Sequence, residues 1–199
     1  MTPAKYSMSF TTGALFYHES LKLAALYISL RQWDKVRTAV IADNIIQART
    51  TNTLKRFTNE ITSRLKTLNE REMTFFNEAG YDEQRYILWL AICRRYTFIA
   101  DFSINVAYDN FISLKNSIVY DDYNIFFNKK AEWHSELDRI AASTKGKLRQ
   151  TLFKMMQEAN LLDKNNSIIP VVPSAAFKAI LAEAKQHEVM FFPISELMR

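Results

Sequence analysis

The chain has 199 residues, 48% of them hydrophobic and 24% charged, which is enough apolar material for one large core or two small ones and excludes a disordered chain. Three glycines and four prolines leave few sites for tight hairpins, and a single cysteine excludes a disulfide framework or a cysteine metal cage. Twenty-six basic residues against 21 acidic ones give a net charge of +5, which suits a polyanionic partner without requiring one.

After a polar start through Thr12, the stretch from Ala14 to Leu30 sets Leu15, Leu23, Leu26, Tyr27 and Leu30 at the spacing of an amphipathic helix. Trp33 to Asp43 repeats the signal with Val36, Val40 and Ile41. A break at Asn44 to Arg49 precedes Thr50-Thr51, either of which can cap a third helix by accepting a bond from a free backbone amide. That helix is the clearest in the chain, with Leu54, Phe57, Ile61, Leu65 and Leu68 in steps of three and four. Asn69 and Glu72 then form a capping-box pattern for a shorter helix ending at Gly80.

Asp82 is the expected cap of a long helical region to about Ser113, broken near Thr97 and apolar around its whole circumference, as a central helix should be. Within it Cys93 ends an apolar run and reads as a small core residue. A helix from Asp121 or Asp122 to Trp133, a short one from Ser135 to Ala141 and a third capped by Ser143 and ended by Asn160 complete the pattern. Ser167-Ile168-Ile169-Pro170-Val171-Val172 has the composition of a short edge strand, which Val189-Met190-Phe191-Phe192 could pair after a helix from Ser174 to about Lys185. The expected fold is therefore all-α, a multi-helix bundle with helix-turn-helix-like units and a small C-terminal β hairpin or wing. Residues 1–80 would form one helical subdomain and 81–199 the central helix with a second. The N-terminus lacks an apolar signal core, and Arg94, Arg95 and Asp101 cut the most apolar stretch well short of a membrane span, so a cytoplasmic protein is expected.

No catalytic constellation is visible. His18, His134 and His187 are isolated, without an HExxH pair or a cysteine to share a metal, so neither a metal nor another cofactor is expected. Ser143-Thr144-Lys145-Gly146-Lys147 lacks the glycine spacing of a phosphate loop, and Asp121-Asp122 reads as helix capping rather than paired acids.

Two segments suggest nucleic-acid binding. Turning the third helix by about 100° per residue puts Asn52, Lys55, Arg56, Asn59, Ser63 and Lys66 opposite its apolar stripe, with Arg49 and Thr50 just before it. That face has no acid, and Arg, Lys and Asn are the residues that pair with phosphates, guanine and adenine. Glu60 and Arg64 flank it, so an ordinary solvated face fits the same pattern. The second segment, His134 to Val172, has winged-helix order, with Lys145, Lys147, Arg149 and Lys154 enriching its longer helix and Asp163-Lys164-Asn165-Asn166 leading to the wing. A basic surface helix ending in a turn fits there too. Trp89, Trp133 and the phenylalanines read most simply as core.

Tyr6-Ser7-Met8-Ser9-Phe10-Thr11-Thr12-Gly13-Ala14-Leu15, Gln47-Ala48-Arg49-Thr50 continuing through Leu54-Lys55-Arg56 to Arg64-Leu65, the helix from Glu83-Gln84-Arg85-Tyr86 to Asp101-Phe102, and Phe126-Phe127-Asn128-Lys129-Lys130-Ala131-Glu132-Trp133-His134 together resemble the BrxA family of BREX bacteriophage-exclusion systems. The resemblance runs from about Tyr6 to Pro173. It implies a helical, NusB-like component encoded beside a methyltransferase, an ATPase and a phosphatase-like protein, with double-stranded DNA and other BREX proteins as partners. Its motifs are structural and transfer no binding residue. An adaptor that touches no nucleic acid, or an RNA binder, stays open beside the DNA-binding reading.

Overall fold

Periodic apolar spacing and well-placed caps build eleven α-helices in the computed structural model, which describes residues 5–12 and 14–194. They are α1 (Tyr17–Leu30), α2 (Trp33–Ala42), α3 (Thr51–Leu65), α4 (Glu70–Glu78), α5 (Tyr81–Arg95), α6 (Thr97–Phe102), α7 (Asp109–Ile112), α8 (Tyr120–Ala131), α9 (Ser135–Asp138), α10 (Ala142–Glu158) and α11 (Ala175–Glu183). A π-helical turn, Ser103–Tyr108, joins α6 to α7, and a 3-10 turn, Gln186–Phe191, follows α11. Residues 1–4, Gly13 and the last five residues lie outside the described part.

The caps explain most boundaries. Thr50 accepts a bond from the Thr53 amide at 3.2 Å and starts α3, while Asn69 and Glu72 form the full reciprocal box that starts α4. Ser174 caps α11 through the Phe177 amide. Asn160 terminates α10 in the left-handed region at φ 59°, a conformation that asparagine tolerates. Asp122 accepts the Val119 amide at 2.7 Å and so starts α8, the capping role expected of the acidic pair.

Helix α5 is buried continuously from Tyr86 to Cys93, as a central helix requires. It ends at Tyr96, whose extended backbone makes the expected break before α6. α3, α4, α10 and the 3-10 turn all pack against it, and Trp89 donates its indole N–H to the Phe191 carbonyl at 3.0 Å. The resulting core is one cluster reaching from Tyr6 to Ile194.

Several sequence expectations are corrected. The start through Thr12 is not merely polar: Tyr6 and Phe10 are buried, and the Tyr6 hydroxyl donates to Asp101 at 2.5 Å. Gly80, not Asp82, is the N-cap of α5, and Ala141, not Ser143, precedes α10, so Ser143 and Thr144 lie inside that helix rather than in a turn. No strand, hairpin or wing forms among the described residues. Segment 167–172 makes only isolated bridges, Ser117 with Ser167 and Leu162 with Ile168, and residues 189–191 are 3-10 helical. Pro170 has no amide to donate, and the Val171 amide donates to the Pro193 carbonyl at 2.9 Å, just past the second segment.

Candidate nucleic-acid interface

The loop before α3 is held by its own polar groups. Asn44, left-handed at φ 45°, accepts from the Ala48 amide at 2.9 Å and donates to the Ala48 carbonyl at 3.0 Å. This brings Arg49 and Thr50 to the start of a 15-residue helix. Inward, α3 buries Leu54, Thr58, Ile61, Thr62 and Leu65 against α1, α2 and α5. Outward, Arg49, Thr50, Asn52, Lys55, Arg56, Asn59 and Lys66 are exposed, as their spacing predicts, and Ser63 is half-buried.

The flanking acid settles the electrostatics of this face. Glu60 turns inward, accepting the Arg64 Nε at 2.7 Å and the Tyr96 hydroxyl at 2.6 Å. Arg64 is buried and reaches the Ala14 carbonyl at 2.8 Å. Burial first, and the bond to Glu60 second, push the Tyr96 hydroxyl up to about 12, so it remains a donor to that carboxylate at neutral pH. Glu60 is thereby paired with Arg64 and Tyr96, and the outward cations Arg49, Lys55, Arg56 and Lys66 make no ion pair among the described residues. A further cation, one that the helix-face pattern did not include, lies at the edge: Arg95 donates to Ser63 Oγ at 3.3 Å with its guanidinium 5.0 Å over the Tyr96 ring. Its signal was the Arg94-Arg95 pair closing the apolar run, but only the fold carries it to α3.

The cations of α10 have a different fate. Lys145 donates to Asn128 Oδ1 at 2.7 Å and sits 4.4 Å over the Phe127 ring; burial, then the Arg149 charge, holds its pKa below the usual lysine range. Arg149 lies 4.4 Å over the Tyr120 ring and donates to Asn124 at 3.2 Å. Both tie α10 to α8, and Lys147 is left exposed. The loop expected to approach a wing folds on itself instead, Asp163 accepting the Asn165 and Ser167 amides at 2.8 and 2.7 Å. The structure thus gathers the α3 residues on one face and disperses those of α10. Among the described residues no group of three or more metal-ligating side chains occurs, and no helix is long and apolar enough to cross a membrane.

Comparison with known proteins places these observations in a family context. A family model described as BrxA matches residues 4–185. The BREX protein BrxA of Escherichia coli O9:H4 (strain HS) is 25% identical over 182 residues, covering 89% of this chain and 84% of that protein. The BREX protein BrxA of Bacillus cereus (strain H3081.97) is 22% identical over 157 residues, covering 79% and 78%. A crystal structure of an uncharacterized protein from Magnetospirillum magneticum superposes with a TM-score of 0.82 at 18% identity, over 96% of this chain and all of that one, and shares the fold.

Proposed function

The chain belongs to the BrxA family, and from that premise we propose that it is a non-catalytic, double-stranded-DNA-binding accessory protein of a BREX anti-phage system. The observation that carries this reading is the outward face of α3, where Arg49, Lys55, Arg56 and Lys66 are exposed while the neighbouring acid, Glu60, is spent on Arg64 and Tyr96. Such a face meets phosphates without an internal competitor for its cations, and Asn52 and Asn59 on the same stripe can accept from and donate to base edges. The residues supporting the reading are therefore Arg49, Thr50, Asn52, Lys55, Arg56, Asn59, Ser63 and Lys66, with Lys147 as an outlying contact. Lys145 and Arg149 support the fold of α8 and α10 first. The protein works in this reading by gripping duplex DNA for other BREX components, which perform the chemistry.

The test is duplex DNA retention by purified protein as a function of salt, with RNA as competitor. Four phosphate contacts give a slope of log affinity against log salt of roughly −3 to −4. Retention that is independent of salt, or absent while the protein is folded, overturns the reading in favour of an adaptor. Stronger competition by single-stranded or structured RNA than by duplex DNA would make RNA the ligand.

A further inference from the structure

Arg94 and Arg95 close the same apolar run of α5, and the fold gives them opposite fates. Arg94 spends its N–H groups on Glu72, Glu188 and the Thr67 carbonyl. Arg95 is half-buried, makes no ion pair among the described residues, and gives one hydrogen bond, from Nε to Ser63 Oγ. Its two Nη groups bond no described residue and are not sealed from solvent, so the outer fork of the guanidinium is open.

That fork is held in place. Ser63 Oγ donates to the Glu60 carbonyl at 2.8 Å, which fixes the hydroxyl and leaves a lone pair to accept from Arg95. The guanidinium lies over the Tyr96 ring, and the ring is itself fixed by its hydroxyl's 2.6 Å bond to the Glu60 carboxylate. Glu60 therefore sets both supports, one through its backbone oxygen and the other through its side chain. Ser63 stands on the outward stripe of α3 between Asn59 and Lys66, so the fork opens at the edge of that stripe.

The geometry points to Arg95 as a preset phosphate clamp, whose two Nη groups take two oxygens of one backbone phosphate at the flank of the α3 surface, with Ser63 as the residue that positions it. This rests on the duplex-binding reading of α3 and adds a contact beyond that surface's own cations. A planar fork matches the oxygens of a phosphate as a lysine ammonium does not, and a fork already held by Nε and a ring loses less rotamer freedom on binding. A phosphate is the ligand rather than a base edge, because Arg95 reaches in from the end of α5 beside the stripe, whereas Asn52 and Asn59 occupy the stripe itself.

The test is duplex DNA binding by the full chain across a salt series, on two duplexes of unrelated sequence, with melting of each variant to establish that it is folded. Arg95→Ala is expected to weaken binding about tenfold at about 0.1 M salt and to lower the slope of log affinity against log salt by about one unit, equally on both duplexes. Arg95→Lys keeps the slope, because it keeps the charge, yet loses roughly threefold or more in affinity, because it loses the fork. The lysine variant also keeps the aliphatic stem, so the comparison survives if truncation to alanine lowers melting. Ser63→Ala costs less than Arg95→Ala, and costs nothing further when Arg95 is already alanine, as a residue acting through Arg95 must. Folded Arg95 variants that bind as tightly as the wild type overturn the clamp and leave the α3 reading standing. A loss confined to one duplex makes Arg95 a reader of bases and overturns the phosphate assignment, and additive losses from Ser63 and Arg95 overturn the positioning role. A folded wild type that retains no duplex overturns the α3 reading and the clamp with it.

Discussion

Arg94 and Glu188, 94 residues apart, are joined by two hydrogen bonds, Nε to Oε1 at 3.0 Å and Nη2 to Oε2 at 2.8 Å. The remaining N–H groups of the same guanidinium reach both oxygens of Glu72, at 2.7 and 2.8 Å, and the Thr67 carbonyl at 3.1 Å. All five donors of the side chain are thereby used. Both carboxylates are buried and both also cap backbone, Glu72 the Asn69 amide and Glu188 the Lys185 amide. One arginine near the end of α5 therefore locks the start of α4 to the start of the C-terminal 3-10 turn.

Arg94→Met should be strongly destabilising, because it leaves two buried carboxylates without their cation; the expected cost is about 3–5 kcal/mol in denaturant unfolding at pH 7. Burial pushes the Glu188 carboxyl up, but the hydrogen bonds and charge of Arg94 outweigh it and hold it below the usual range. A lowered folded pKa contributes stability that is present above the unfolded value and lost as pH falls through the folded one, so the wild type loses this contribution below about pH 4.3. In the variant burial is opposed only by the Lys185 amide and the nearby His187, so the Glu188 pKa rises, and the deficit relative to the wild type should shrink between pH 7 and pH 5. A deficit that does not change over that interval would show that the ion cluster is not its source.

Ile61→Ala tests the inner face of α3. Ile61 is fully buried between α3 and its neighbours, so truncation should cost about 2–5 kcal/mol through lost burial and the cavity left behind. At roughly 2–4 °C per kcal/mol for a chain of this size, the melting temperature should fall clearly. An unchanged melting temperature contradicts the facing assigned to the helix.

Lys55→Ala combined with Arg56→Ala should leave melting unchanged, since both side chains point to solvent, and should reduce the slope of log affinity against log salt by about two units in duplex DNA binding. Lys147→Ala is the matched probe of α10, expected to change binding little. Lys145 is unsuitable for that comparison because its contact with Asn128 and Phe127 makes truncation a packing change as well. If Lys147→Ala weakens binding as much as the α3 pair does, the interface extends over α10.

Tyr123→Phe should be neutral or stabilising by up to about 1 kcal/mol. The Tyr123 hydroxyl is buried and meets no hydrogen-bond partner among the described residues, so removing it relieves an uncompensated desolvation while the ring keeps its edge contacts with Phe98 and its tilted contact with Phe127. Burial also drives the hydroxyl's pKa upward, beyond the reach of the opposing Arg149 charge. A destabilisation above about 1 kcal/mol would mean that the hydroxyl is bonded after all.

The features legible in the sequence were those written within a few neighbouring residues. Leu54, Ile61 and Leu65 declare the inner face of α3, Thr50 and the Asn69–Glu72 box declare helix starts, and the unbroken apolar run from Tyr86 to Cys93 declares the buried α5, because helical hydrogen bonds and side-chain caps act over three or four positions. The BrxA resemblance rested on such local runs as well, and the family match confirms it. What only the tertiary structure decided involved partners that the local pattern does not name. The β-branched residues at 168–172 would need a paired neighbour to become a strand, and the chain supplies a 3-10 turn there instead. Glu60, which flanks the outward face of α3, turns inward because Tyr96 and Arg64 offer it donors there, and Lys145 and Arg149 leave the α10 surface because α8 offers aromatic rings. A charged side chain goes where its solvation and pairing are best satisfied, and that place was set by residues 17 to 94 positions away in the chain.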